Sequence, residues 1–145
     1  MRPPMIDLHD ETFVVAPPAD VARRLADPRL WARWWPALEL TVSEDRGPQG
    51  LRWAVRGELS GSAEIWLDPW HDGVIVHWFL RADPATRARV RPVGTRPLPT
   101  RPLPSRALVR LRRGYAEAYK GHIHAFKDQV ESGRPAGVPR SSPER

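Results

Sequence analysis

Residues 105–132 read SRALVRLRRGYAEAYKGHIHAFKDQVES, and the reading of this stretch decides the fold. Leu108, Leu111, Tyr115, Ala118, Tyr119, His122, Phe126 and Val130 recur three and four residues apart, which is the period of one helical face. The spacing predicts one long helix over Ser105–Ser132, with Gly133 as its C-cap. The opposite face carries Arg110, Arg113, Glu117, Lys120, Lys127 and Glu131, with Arg113–Glu117 and Lys127–Glu131 in i,i+4 register. A stripe of this length needs a large apolar partner, and only a sheet can supply it.

Upstream, the chain offers that sheet. A strand is expected over residues 9–16, stopped by Pro17-Pro18. A short helix follows, with Asp20 in its first turn and Val21 and Leu25 on one face. Asp27-Pro28 reads as N-cap and first position of a second short helix, which carries Leu30, Trp31, Trp34 and Trp35 and ends at Pro36. Four strand-like runs come next, at Leu38–Glu44, Leu51–Arg56, Ser62–Asp68 and Val74–Ala82. Their connections are short and carry Gly or Pro, so consecutive strands should pair antiparallel; parallel pairing needs crossovers for which there is no room. Residues 84–104 interrupt this pattern with the tandem TRPLP-TRPLP at Thr95–Pro104, an extended Arg/Pro loop because proline has no N–H for a ladder. The expected organisation is an N-terminal extension at 1–8, one domain at 9–133 and a disordered tail at 134–145.

Composition narrows the function classes. At 145 residues with seven Trp and 41% hydrophobic residues, the chain holds one real core. It has no Cys, which excludes disulfides, thiolate chemistry and Cys-based zinc sites. No apolar run is long enough for a membrane span and none opens the chain as a secretion signal, so a soluble cytoplasmic protein is expected. The net charge of +6 is local: residues 81–113 hold ten Arg and one acid, and the remaining chain is net negative. Only Lys120 and Lys127 are lysines, a bias that points to a GC-rich gene rather than to nucleic acid. The Arg/Pro loop also lacks the interleaved aromatics that stack bases. A PxxP ligand for a partner domain, a lid over a cavity mouth and a plain solvated insertion all fit that loop.

The order strand, two short helices, antiparallel meander and long last helix resembles the polyketide cyclase/dehydrase and lipid-transport superfamily, also called START-like. The resemblance is strongest at Val14–Pro36, VVAPPADVARRLADPRLWARWWP, and at Phe126–Glu131, FKDQVE. It implies an α+β helix-grip fold, in which a curved antiparallel sheet wraps the last helix around a cavity for lipids, polyketides or sterols. Relatives usually place two more strands where this chain has its Arg/Pro loop, which implies a shorter sheet and a more open cavity.

Candidate ligand-binding residues are Trp34, Trp35, Trp53, Trp66, Trp78, Tyr115, Tyr119 and His122, since pockets of this kind are apolar walls with a few polar groups. Any one ring taken singly reads first as core, whereas for the set some cavity lining is expected. Candidate catalytic groups are His77, Arg81 and His122. His77 and Arg81 share one face of their strand, while Trp78 and Leu80 share the other; Glu64 shares a face with Trp66. If His77 and Arg81 faced inward they would hold a carboxylate or enolate, with His122 shuttling a proton. No cofactor and no metal are expected: His122 and His124 point apart on the helix, and His9, His71 and His77 lie on different elements without carboxylates at ligand spacing.

Three functions follow. The first is an apolar small-molecule carrier or sensor, monomeric or homodimeric. The second is a polyketide cyclase or aromatase with an acyl carrier protein as partner, met by the basic segment. The third is a partner-binding module. Catalysis requires at least two of His77, Arg81, Tyr119 and His122 to converge in the cavity. A carrier requires an apolar lining, and a partner module a closed core.

Overall fold

In the computed structural model, which describes residues 3–85 and 103–131, strand pairing begins at Ile6. Strand β1 therefore spans Ile6–Val14 and takes in the end of the segment that the sequence reading assigns to an N-terminal extension. Helix α1 (Pro18–Leu25) opens on proline, and α2 (Pro28–Trp34) is capped by Asp27, whose side chain accepts from Arg29 N at 3.0 Å. The Trp31 indole N–H donates to Leu25 O at 2.7 Å and ties the two helices together.

Strands β2 (Leu38–Asp45), β3 (Gly50–Gly57), β4 (Leu59–Trp70) and β5 (Gly73–Pro84) follow as a meander, and α3 runs from Ser105 to Glu131. The sharp β3–β4 turn depends on Gly57: its φ is +107°, and a Cβ there would lie 2.5 Å from Ala37 O. All neighbours in the five-stranded sheet are antiparallel, in the order β1-β5-β4-β3-β2, so β1 returns to pair with the last strand.

Alternation sorts the sheet into two faces. Leu8, Val76, Trp78, Leu80, Ile65, Leu67, Trp53 and Val55 turn inward and are buried. Tyr115, Tyr119, Ile123 and Phe126 of α3 join them in one core. This is the α+β helix-grip architecture that the helix stripe demanded. No described helix is long and apolar enough to cross a membrane.

Two charged residues depart from the expected solvated face of α3. Glu131 is buried, and its carboxylate accepts from Val15 N (3.1 Å) and from Lys127 Nζ (2.6 Å); Lys127 also donates to Phe13 O at 2.6 Å. The i,i+4 pair thus clips the end of α3 to the end of β1, where edge-strand groups lack ladder partners. Most of the Arg/Pro loop, the proposed C-cap Gly133 and the tail lie outside the described residues.

Candidate ligand cleft

Where α2 hands over to β2, Trp34, Trp35, Pro36 and Ala37 face Leu111, Gly114, Tyr115 and Ala118 of α3 across a cleft of about 300 Å³. The wall is apolar apart from Arg110 at its α3 side. The helix supplies space as well as wall: a Cβ built at Gly114 meets nothing within 4 Å.

Behind the cleft the rings continue inward. Trp35 is tilted on Tyr115 (centroids 5.2 Å apart) and stacked on Trp78 (5.8 Å), which in turn stacks on Tyr119 at 4.0 Å and 6°. Trp35, Trp78 and Tyr119 form a column from the cleft wall through Trp78 of the sheet to Tyr119 of α3. Beside it, Trp34 stacks on His122 (5.2 Å), whose Nε2 lies 3.0 Å from Trp34 O.

Three polar features accompany the column. Tyr115 donates its hydroxyl to Glu58 at 2.6 Å; burial and then that carboxylate hold the phenol far above its ordinary value. Asp10 faces α3, accepting from Thr12 Oγ1 at 2.8 Å and pairing with Lys120. Trp78 Nε1 and the Tyr119 hydroxyl are buried without a hydrogen-bond partner among the described residues. Burial, and next the Asp10 charge, push the Tyr119 hydroxyl well up, so it stays protonated and available as a donor.

The expected site residues therefore divide. Trp34, Trp35 and Tyr115 line the cleft, Trp78 and Tyr119 stand behind it, and His122 supports Trp34. Trp53 turns inward but packs on Trp31, 4.5 Å between centroids. Trp66 faces outward, 38% exposed, with the Arg46 guanidinium 5.4 Å above its ring and Glu64 beside it on Arg46 at 3.3 Å. His77 and Arg81 also turn outward, onto Glu11 (3.4 Å) and Asp7 (3.5 Å). Because Trp78 and Leu80 occupy the inner face of β5, its odd positions must face away, so the candidate catalytic groups do not converge in the cleft.

The expectation that His9 and His77 lack a carboxylate at ligand spacing is overturned as well. The β1–β5 pairing brings His9, Glu11 and His77 together, with one donor atom from each within 4.8 Å of the others. Sequence reasoning also missed Glu58 and Gly114. A glycine inside an otherwise regular helix was a legible sign of special space, whereas Glu58 sits in a turn with no periodicity to mark it.

No protein-family model and no curated protein matches the chain. Solved structures do. A START superfamily protein from Mycobacterium smegmatis superposes with TM-score 0.51 at 10% identity, covering 86% of this chain and 98% of that one. The Aha1 dimer from Colwellia psychrerythraea gives TM-score 0.55 at 10% identity, with 90% and 99% covered. The di-domain aromatase/cyclase StfQ from the steffimycin biosynthetic pathway gives 0.51 at 18%, covering 92% of this chain and 52% of that one. The chain has the START-like fold. At these identities the likeness speaks for the fold alone.

Proposed function

We propose that the protein binds an apolar small molecule, lipid- or polyketide-like, in the cleft between the α2–β2 junction and α3. The observation that carries this reading is the cleft itself: two indoles, a phenol and aliphatic groups face open space, with one cation at the edge. Exposed apolar surface of this kind gains free energy when covered, about 25 cal/mol per Å². Behind Trp35, Trp78 Nε1 and the Tyr119 hydroxyl have no acceptor among the described residues, so a ligand oxygen that reached past Trp35 would satisfy them. An apolar body carrying a carbonyl or hydroxyl meets both requirements.

Binding is favoured over cyclisation because His77 and Arg81 lie on the far side of the sheet and His122 is engaged with Trp34 O. The cyclase reading retains one foothold, the Tyr115–Glu58 pair at the cleft wall, and the StfQ likeness is consistent with it. A phenol held so far above its ordinary value is a hydrogen-bond anchor rather than a proton donor at neutral pH. An acyl carrier protein as partner would have to meet Arg110 and the basic segment.

The test is titration of tryptophan fluorescence with fatty acids, aromatic polyketides and sterols, in the wild type and in Gly114→Leu. Saturable quenching near one equivalent that Gly114→Leu weakens tenfold or more supports the reading. No response from any of the three classes, or an unchanged response in the variant, contradicts it.

A further inference from the structure

The outer face of the sheet carries a second constellation, remote from the cleft. Antiparallel register places Glu11 of β1 directly opposite His77 of β5, and His9 opposite Phe79. Two residues apart on one strand, His9 and Glu11 share a face, so all three polar side chains emerge on the same side. His9 Nε2 lies 3.6 Å from Glu11 Oε1, and His77 Nδ1 lies 3.4 Å from the same oxygen.

These separations have a chemical meaning. Two ligands bound to zinc at about 2.0–2.1 Å and at a tetrahedral angle stand about 3.4 Å apart. The set of two imidazoles and one carboxylate is a zinc-type donor set, and imidazole nitrogen also suits copper and nickel. The backbone scaffold is rigid, both strands being in a continuous ladder; the His9 ring lies flat on Phe79 at 4.4 Å and 2° and gives up that stack when it turns. The two imidazole rings lie 11° from parallel, so one must turn to bring its lone pair onto a shared ion. His9 is the ring with room to do so, its side chain being 45% exposed against 19% for His77. Solvent access at Glu11 leaves the fourth position for water.

We propose that His9, Glu11 and His77 form a surface site for a divalent transition-metal ion of the zinc class, which staples the edge strand β1 to β5. Its three ligands come from strands rather than loops, and none of them takes part in the cleft, so the site stands or falls apart from the ligand-binding reading.

The experiment is calorimetric titration of the untagged full chain with Zn²⁺ and, separately, Mg²⁺, together with the visible spectrum of the Co²⁺ form. Glu11→Gln and His77→Gln are compared with His124→Gln, and circular dichroism of each metal-free variant checks the fold. The expected result is one equivalent of Zn²⁺, no Mg²⁺, and an affinity loss of about tenfold or more in both ligand variants but not in His124→Gln. Absence of saturable Zn²⁺ binding overturns the site, as does Zn²⁺ affinity unchanged in folded His77→Gln protein.

Discussion

The Tyr119 hydroxyl separates the demands of folding from those of binding. It is 1% exposed and has no partner among the described residues, a state that costs a folded protein about 1–3 kcal/mol. Tyr119→Phe should therefore leave the apo protein as stable as the wild type or about 1 kcal/mol more stable, read as the urea midpoint at unchanged slope. The same substitution should weaken a carbonyl-bearing ligand about tenfold, which a purely structural tyrosine would not do. Gly114 makes a parallel case. Gly114→Ala should stabilise α3 by up to about 1 kcal/mol, the helix-propensity difference, because nothing blocks the added methyl. Gly121, equally open and on the same helix but away from the cleft, is the control: Gly121→Leu should leave ligand affinity unchanged.

At the scale of elements, the periodicity of α3 was legible, but the fate of its charged residues was not. Lys127 and Glu131 sit on the helical face that pattern reasoning assigns to solvent. They are drawn inward because the end of β1 offers a carbonyl and an N–H that need partners, a tertiary fact invisible in the helix alone. Glu131→Ala should destabilise the protein by about 2–3 kcal/mol, since it leaves Val15 N without an acceptor and Lys127 held by Phe13 O alone, with no counter-charge; thermal or urea unfolding measures it. Replacing both charges, as Lys127→Met with Glu131→Leu, should cost less than the single change. Strand alternation was equally clear within β5, yet which face met the helix required the whole sheet. His77 and Arg81 share one face of β5, as their spacing predicts, and that face is the outer one. The pairing of β1 with β5, which brings His9 and Glu11 to His77, is a long-range contact that no local pattern encodes.

For the whole molecule, the fold was readable because several local signals agreed: Asp27-Pro28 as a helix start, Gly or Pro at each strand connection, and one apolar stripe too long to stand alone. The cleft was less readable, because the same aromatic residues serve as core and as wall and only the packing divides them. Trp34 and Trp35 are neighbours in sequence and line the cleft, whereas Trp53 closes on Trp31 and Trp66 faces outward. The two buried tyrosines also shape the pH response of the fold. Tyr115 and Tyr119 are both raised above the ordinary tyrosine value of about 10, chiefly by burial. The native state therefore holds their protons more tightly than the unfolded chain does. Their contribution is complete below about pH 10 and is lost as pH rises through the folded values. Melting temperature should fall above about pH 10, and less steeply in Tyr119→Phe.

Native mass spectrometry of the protein purified from its own host, beside Gly114→Leu purified the same way, tests the central claim most directly. The account predicts a retained apolar molecule at one equivalent in the wild type and its loss from the variant. A clean apo mass for both, with no uptake when fatty acids, polyketides or sterols are added, would contradict it and leave the aromatic column as core alone.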